Sequence, residues 1–471
     1  MAERGLALGF VGLGWHPDIG GVESHTRDLA RELGTRAHRL HALALDMAEG
    51  LEPYTTKARP DEGVVEGVEV TRMAYRFHDH RALADLVTSA RAEAVLVDWA
   101  RAARLDLVHV HHASGWGLGI LPVLARAGIP AVMTLHDYWP LCPRGQMLRT
   151  DGEVCAEASP ARCAPCLART WPHLMPSGDG ERRGPDGASV ADDEGAAGAR
   201  DAHALACLRS AARLFTPSPA TRTAYVRAGL AEASIQVLEN GVDVDELART
   251  VRALRARAAP HAGLRLGVLG TVLPSKGALE LAQAVLEARL EGLTLEIHGS
   301  LPSYHGDSRY VEELRALAAR APSIRVHGPF DHARLPEILA GLDGVAAPSR
   351  WNEVYGLTVR EARAAGLPVL VSDAGALADV AAGGKAGLVV PAEDRAAWVA
   401  ALKRFADPAA RAAWAAHATP PRSAHAMALE LERAYCEVLR QRGELGKTEF
   451  VPGTDQRARG GWLGWLRWLW S

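Results

Sequence analysis

Glu353 and Glu361 stand eight positions apart, with Gly356 between them and the break Gly366-Leu367-Pro368 after them. Glu353 falls in a loop and Glu361 in the first turns of the helix that follows; the break leads into the apolar run Val369 to Val371. A helix N-terminus at this point offers unpaired N–H groups and the positive end of the helix dipole, an environment that holds a phosphate. One carboxylate would then lie beside whatever carries the phosphate, and the other a turn deeper. Spacing alone fits equally well a helix-capping acid followed by a solvated glutamate, so the neighbours decide.

Three other stretches carry chemistry. Gly20-Gly21 follows the first apolar run and opens a helix. Paired glycines allow positive φ and a close backbone approach to a diphosphate or sugar, although a plain strand–helix turn uses them too. Gly9, Gly12 and Gly14 do not follow the GxGxxG order, which counts against a nicotinamide enzyme. In Gly270-Thr271-Val-Leu-Pro274-Ser-Lys276-Gly277, the lysine is a compact cation placed between a strand and a glycine-opened helix, suited to neutralising a leaving phosphate. Taken alone, such a lysine is more often a surface side chain. His136-Asp137 follows the run Met133-Thr-Leu, where an imidazole can hydrogen-bond a sugar or donate a proton. His109, His111 and His112 crowd the end of the preceding strand; alternation sends His111 and His112 to opposite faces, which favours polar pocket lining over a metal site.

The elements that must position these residues form a repeated strand–helix pattern. Apolar strands are expected at Leu6–Leu13, Leu40–Leu45, Val64–Val70, Leu107–Val110, Ile129–Leu135 and Leu214–Thr216, with helices from Gly21, over 81–103, over 118–127 and over 202–212. A second series has strands at Leu266–Leu269, Leu293–His298, Ile324–His327, Val345–Ala347, Val369–Val371 and Gly387–Val390, with helices over 278–288, 310–319, 335–340 and 395–405. Continuous apolar strands alternating with helices imply parallel sheets covered on both faces. The fold class is therefore α/β: two doubly wound, Rossmann-like domains whose ligand site is the cleft between them. The expected division is 1–240, 241–420, a helix over 421–442 packing back across the domains, and a tail over 443–471. Within the first domain no periodicity is legible from Thr150 to Ala199; a cysteine-containing loop spans 140–170, and the Gly-, Asp- and Pro-rich stretch 173–200 is expected as a mobile insertion.

A chain of 471 residues suits two domains, and 48% hydrophobic residues supports real cores. The net charge of −3 gives no electrostatic case for nucleic acid. No signal peptide and no eighteen-residue apolar run is seen, so a cytoplasmic location is expected.

Together these segments resemble the glycosyltransferases of family 4, which have the GT-B fold. The matching motifs run in order: Pro17-Asp-Ile-Gly20-Gly21-Val-Glu, Asp106-Leu-Val-His-Val-His, Thr134-Leu-His136-Asp137, Glu239-Asn240-Gly241-Val-Asp243, Pro274-Ser-Lys276-Gly277, His298-Gly299, His327-Gly328, and Glu353 through Glu361 with Gly366-Leu-Pro368. The resemblance implies transfer of a sugar from a nucleotide-sugar donor, a UDP- or GDP-sugar, with retention of configuration and with no cofactor or metal required for catalysis. The second domain would bind the donor and the first mostly the acceptor, a glycan or a lipid-linked sugar of cell-surface polysaccharide or glycolipid synthesis. By position, Gly20 and Gly21 would approach the diphosphate, and Lys276 would balance its charge. Glu353 would bond sugar hydroxyls, the backbone from Gly356 through Leu357 to Thr358 would meet the phosphates, Glu361 would hold the ribose hydroxyls, and His136 would line the sugar pocket. The leaving phosphate itself would deprotonate the acceptor. Asp243-Val-Asp245 falls in the hinge motif and reads as chance rather than a metal-binding DxD. One departure stands out: the family commonly has arginine where this chain has Thr271, which leaves Lys276 to carry most of the neutralisation. Rival readings are a GT-B nucleotide-sugar epimerase and a non-catalytic nucleotide-sugar-binding partner.

Two features lie outside this frame. Cys142, Cys155, Cys163 and Cys166 fall within 25 residues and end in a CxxC pair. In a cytoplasmic chain that favours a metal, either a structural zinc or an iron–sulfur cluster, over disulfides; reduced thiols are the plain alternative. The chain ends with Trp462, Trp465, Trp468 and Trp470 interleaved with leucines, and Arg457, Arg459 and Arg467 are nearby. On a helix these would form an apolar face too short to span, an interfacial anchor at the inner face of the cytoplasmic membrane or a segment docked on protein.

Overall fold

The run Ala7-Leu-Gly-Phe-Val is buried at every residue because both faces are covered, and it forms β1 (Ala7–Val11) inside a parallel sheet. The structure, a computed structural model, describes residues 5–15, 20–47, 51–56, 64–177, 190–259, 261–381, 383–417 and 420–443. The four tail tryptophans lie outside the described residues.

After β1 come α1 (Gly21–Gly34), β2 (Arg39–Met47), β3 (Val64–Val65), β4 (Val68–Tyr75), α2 (Ala90–Ala102), β5 (Leu107–Val110), α3 (Ile120–Arg126), β6 (Ala131–Thr134), α4 (Pro160–Thr170), α5 (Val190–Leu208), β7 (Arg213–Thr216), α6 (Pro219–Arg227) and β8 (Ile235–Val237). The sheet order is β3-β4-β2-β1-β5-β6-β7-β8, with only β3 antiparallel. The second series is α7 (Val244–Arg257), β9 (Leu264–Leu269), α8 (Ala278–Ala288), β10 (Leu293–His298), α9 (Arg309–Arg320), β11 (Ile324–Gly328), α10 (Leu335–Ala340), β12 (Gly344–Ala347), α11 (Leu357–Ala364), β13 (Val369–Ser372), α12 (Leu377–Val380), β14 (Gly387–Val390), α13 (Arg395–Phe405), α14 (Pro408–Ala416) and α15 (Ala424–Gln441). Its sheet is β11-β10-β9-β12-β13-β14, all parallel. These are two doubly wound sheets. Their strand orders reverse between β1 and β5 and between β9 and β12, so the loops leaving those four strands carry the ligand edge of each sheet.

Besides α6, β8, α7, α12 and α14, which the sequence expectation does not include, three stretches differ from it. The helix expected over 81–103 begins only at Ala90, where the Ser89 hydroxyl caps the Ala92 N–H at 3.3 Å. Before it, the Asp85 carboxylate takes the N–H groups of Arg81 and Ala82 and closes a 3₁₀ turn over Leu83–Leu86. Between Thr150 and Ala199 the structure contains α4, opened by Pro160 at its first position, and the first half of α5. Val190 to Arg200 therefore belongs to a helix rather than to an irregular insertion. It is pinned by Asp193, which accepts from Ser177 N at 2.9 Å, and by Arg200, which donates to the carbonyls of Trp139 and Pro140 at 2.8 Å each.

The last helix, α15, packs Met427, Leu431, Tyr435 and Leu439 into the core of the first sheet. Its Glu432 accepts from Arg36 Nε at 2.7 Å and lies 2.9 Å from His38 Nε2. Where the chain crosses between the units, Val242 N donates to Arg422 O and Ala424 N to Val242 O. A Cβ at Gly241 would stand 2.4 Å from Ala424 Cα, so only glycine lets the two crossings pass.

Candidate functional site

On the second sheet, the loops after β9 and β12 interlock. Arg350 N donates to Ser275 O at 2.8 Å, and Gly277, at φ +70°, presses against the Pro348 carbonyl. Lys276 ends the 3₁₀ turn Pro274–Lys276, and its Nζ lies 2.5 Å from Glu353 Oε1. The same carboxylate oxygen accepts from Ser349 Oγ at 2.6 Å and Trp351 Nε1 at 2.9 Å. Because all three donors take Oε1, Oε2 has no hydrogen-bond partner among the described residues. Lys276 Nζ also sits 5.0 Å from the centroid of the Trp351 ring, a cation–π contact. The Glu353 backbone is fixed by Ala376 N, which donates to its carbonyl at 2.8 Å.

Gly356 takes φ +75° as the N-cap of α11, and no side chain caps that end. The first amides of the helix, at Leu357 and Thr358, thus carry the unpaired N–H groups of a helix start. Glu361, one turn in, is buried, and its Oε1 lies 3.0 Å from His332 Nε2. That hydrogen bond holds the His332 imidazole above its ordinary value, against the opposing effect of burial. Thr271 receives only a 3.4 Å hydrogen bond from Ser300 Oγ, beside Gly270, whose φ of +112° opens onto free space.

On the first sheet, Gly20 and Gly21 begin α1. Neither adopts positive φ; Gly20 is extended at φ −127°, and a Cβ at Gly21 would meet nothing within 4 Å. Gly21 thus faces open space at the helix start, whereas a Cβ at Gly20 would stand 2.6 Å from the Glu23 carboxylate; neither provides left-handed backbone. His136 Nε2 lies 3.2 Å from His111 Nδ1, and the His25 ring stands edge-on to His136 with centroids 4.7 Å apart. His109 is held between Thr134 Oγ1 at 2.7 Å and Tyr435 OH at 2.6 Å. Burial lowers His25 to about 4 and pulls His109, His111 and His136 well below the ordinary imidazole range, so all four are neutral near pH 7. His112 points elsewhere, as alternation requires: burial pulls it down, but Asp137 at 3.0 Å lifts it on balance.

The two halves meet. Tyr138 packs edge-on against Trp351 with centroids 6.0 Å apart, and Tyr355 OH donates to Asn240 O at 2.5 Å. On the other flank, Asp28 and Arg27 of α1 lie within electrostatic reach of His332. The structure thus joins Lys276, Glu353 and Trp351 to the segment carrying His136, and Glu361 to the helix opened by Gly20 and Gly21. His25, His332, Trp351 and Ser349 went unnoticed in the sequence. Only His25 had a usable signal there, four positions after Gly21 on a helix already aimed at the cleft.

Among the described residues, two trios have donor atoms within 4.8 Å of one another: His25, His111 and His136, and Glu296, His298 and His327. The nitrogens of His25 and His111 Nε2 are buried without a hydrogen-bond partner. A cavity of about 180 Å³ between the cysteine loop, α5 and α6 includes Leu141, Met147, Asp201 and Arg227 in its lining and shares no residue with this site.

Residues 19–175 match the family described as Glycosyltransferase Family 4, and residues 263–407 the one described as Glycosyl transferases group 1. The chain is 32% identical over 163 residues to a D-inositol 3-phosphate glycosyltransferase of Stackebrandtia nassauensis, covering 33% of this chain and 36% of that protein. It is 38% identical over 126 residues to the lipopolysaccharide core biosynthesis mannosyltransferase LpsB of Rhizobium meliloti, covering 26% of this chain and 36% of that protein. The matches to the first curated relatives span between 36% and 52% of those proteins. Among solved structures, sucrose-phosphate synthase from Thermosynechococcus elongatus superposes with a TM-score of 0.63 at 17% identity, over 93% of this chain and all of that one. HepE of Anabaena, solved with UDP-glucose, gives 0.57 at 19% identity, over 93% of this chain and 100% of the other. These likenesses show the GT-B fold.

Proposed function

Because the chain belongs to the family 4 glycosyltransferases, we propose that it transfers a sugar from a nucleotide-sugar donor to a glycan or lipid-linked acceptor, with retention of anomeric configuration. The observation that carries this reading is the Lys276–Glu353 pair at the ligand edge of the second sheet, beside the uncapped start of α11. The relatives whose names specify glycosyl or mannosyl transfer, and HepE with UDP-glucose bound, support the same reading.

In this mechanism the diphosphate lies at the start of α11, where the amides of Leu357 and Thr358 meet it, with Lys276 as its cation and Thr271 as a neutral hydrogen-bond partner. Glu361, oriented by His332, holds the ribose hydroxyls. Glu353, with one oxygen fixed by three donors, offers the other to the sugar. The open space at Gly21 admits the diphosphate from the opposite side. As the bond from the anomeric carbon to the phosphate oxygen breaks, the acceptor oxygen bonds to that carbon from the same face. The departing phosphate oxygen takes the acceptor proton. Neutral His136 serves as a hydrogen-bond partner to the sugar, since burial keeps it uncharged. The developing charge on the nucleoside diphosphate falls to Lys276, because Thr271 carries no charge to share it.

No helix among the described residues is long and apolar enough to cross a membrane. The reading places the enzyme at the cytoplasmic side of the membrane through its tryptophan-rich tail, within reach of a lipid-linked acceptor. The test is a panel of UDP- and GDP-sugars scored first by thermal stabilisation, then by release of free nucleotide with a candidate acceptor. Stabilisation with nucleotide release and an unchanged anomeric configuration supports the proposal. Donor isomerisation without release indicates an epimerase, and tight donor binding without turnover indicates a non-catalytic binding protein.

A further inference from the structure

We propose that Cys142, Cys155, Cys163 and Cys166 bind one zinc ion, which staples the excursion between β6 and α5 and holds its face against the second sheet. The four residues come from three unrelated pieces of chain. Cys142 lies in a tight turn, its N–H donating to Tyr138 O and its carbonyl accepting from Gly145 N, both at 2.7 Å. Cys155 follows a narrow hairpin closed by the Leu148–Val154 bridge, and its N–H donates to Met147 O at 2.7 Å. Cys163 and Cys166 sit one turn apart on α4 and therefore share a face.

Despite these separate origins, the fold brings the thiols into electrostatic reach of one another: Cys142 with Cys166, Cys155 with both, and Cys163 with Cys142 and Cys155. All four are free cysteines, neither fully buried nor exposed. Burial raises the Cys142, Cys155 and Cys163 thiols, and the hydrogen-bond donors around Cys142 and Cys163 act in the opposite sense. The backbone N–H groups of Arg144 and Met147 point at the Cys142 sulfur, that of Ser159 at Cys163, and Arg144 Nη1 lies 3.4 Å from Cys166 Sγ. Four thiolates around a divalent ion leave a net charge of −2, and amide and guanidinium donors of this kind offset it. The sulfurs are not among the trios already drawn to within 4.8 Å. Zinc at about 2.3 Å from each sulfur would turn the side chains inward, releasing four thiol protons as four Zn–S bonds form. Four protein ligands leave no open position, so the ion is structural rather than catalytic.

The staple has a clear beneficiary. The same excursion meets the second sheet through Gln146 Oε1, which accepts from Tyr304 OH at 3.1 Å, and through Gly152 O, which accepts from Arg350 Nη2 at 3.3 Å. Arg144 also lies over the Tyr304 ring at 5.4 Å. Arg350 directly precedes Trp351, the residue that holds both Lys276 and Glu353. Leu141, Met147, Leu167 and Leu174 of the excursion join the buried core of the first sheet, and a metal would cross-link the turn, hairpin and helix that carry them.

The experiment is elemental analysis of the full-length protein, purified without a metal-chelating resin, alongside the C163S/C166S double variant. About one zinc per chain is expected in the wild type, released by a mercurial thiol reagent, with zinc lost from the variant and its melting temperature lowered. Should the variant be insoluble, cobalt(II) exchanged into the wild type should show thiolate-to-cobalt charge-transfer absorption. Metal-free wild type with no such absorption, zinc retained in the double variant, or iron with acid-labile sulfide would each overturn the proposal. None of these readouts depends on sugar transfer, so its failure is separable from that of the glycosyltransferase reading.

Discussion

His332 Nε2 lies 3.0 Å from Glu361 Oε1 and so ties the turn after β11 to the helix after β12. The carboxylate raises the imidazole above its ordinary value, and Asp28 of α1 adds to the effect while Arg27 opposes it. A folded-state value above the unfolded one means the stabilisation is complete below the unfolded value of 6.5 and is lost as pH rises through the folded value. The melting temperature of the wild type should therefore exceed that of His332→Gln by more at about pH 6 than at about pH 8, the difference reflecting roughly 1 kcal/mol. If Glu361 holds the ribose, the same variant should raise the donor KM several-fold and leave kcat nearly unchanged. An equal gap at both pH values would show that the hydrogen bond carries no charge.

Lys276 and Glu353 divide one task and should fail differently from Glu361. Lys276→Ala removes the only cation the proposal assigns to the diphosphate and should reduce turnover to background, a loss of at least about 10²–10³-fold. The fold should survive, since Ser349 and Trp351 still satisfy Glu353. Glu353→Ala should lower kcat or alter sugar choice, whereas Glu361→Ala should mainly weaken donor binding. Initial rates across donor concentrations separate the three. Near-normal turnover in Lys276→Ala would remove the basis of the assignment.

Acid should destabilise the protein through its buried histidines. His25 and His298 are lowered to about 4, and His109, His111 and His136 well below 6.5, each chiefly by burial. For a depressed imidazole the unfolded chain takes up the proton first. Stability is then whole above 6.5 and falls as pH drops toward the folded value, by about 1.4 kcal/mol per pH unit for each group kept neutral. His112 and His332 are raised and act in the opposite sense, but they are fewer. Urea unfolding at about pH 7 and about pH 5 should show the lower midpoint at the acid end. A midpoint that rises on acidification would contradict this balance.

The strands were legible because both their faces are covered, which writes a continuous apolar run into the sequence. The ends of those runs mark the positions of Lys276, Glu353 and His136. His332 was not legible, because its value depends on β11 and β12 delivering two loops to one point across a sheet reversal. The neutrality of His25 likewise comes from neighbours in β5 and after β6, not from its own helix. Helix α4 escaped notice because Pro165 and two cysteines interrupt its pattern, and the first half of α5 because Gly, Ala and Asp dilute its apolar face. At Gly20-Gly21 the expected positive φ is absent: Gly20 is extended, and Gly21 opens onto free space within a helix start.

The tail Trp462, Trp465, Trp468 and Trp470, which lies outside the described residues, is proposed to anchor the enzyme in the membrane interface, where indole rings are favoured and arginines meet anionic lipid. Deleting residues 460–471 should move the protein off liposomes containing anionic lipid in a co-sedimentation assay, with donor-induced thermal stabilisation unchanged. Equal sedimentation of the full and truncated chains would locate membrane binding elsewhere or rule it out.

Gly277 offers a test of the interlock between the two loops of the second sheet. Its φ of +70° disfavours any side chain, and a Cβ there would stand 2.0 Å from the Pro348 carbonyl oxygen, a backbone atom that cannot swing aside. Gly277→Ala must either shift the 3₁₀ turn that presents Lys276 or push back the loop that presents Glu353. Left-handed strain alone costs of order 1–3 kcal/mol, and the contact adds to it. The melting temperature should fall, and turnover should fall further than the melting curve explains at the assay temperature, because the 2.5 Å Lys276–Glu353 contact spans the displaced loops. A variant with lowered stability but full activity would mean the two loops can separate without disturbing the site, and that the pair is held by Trp351 and Ser349 alone.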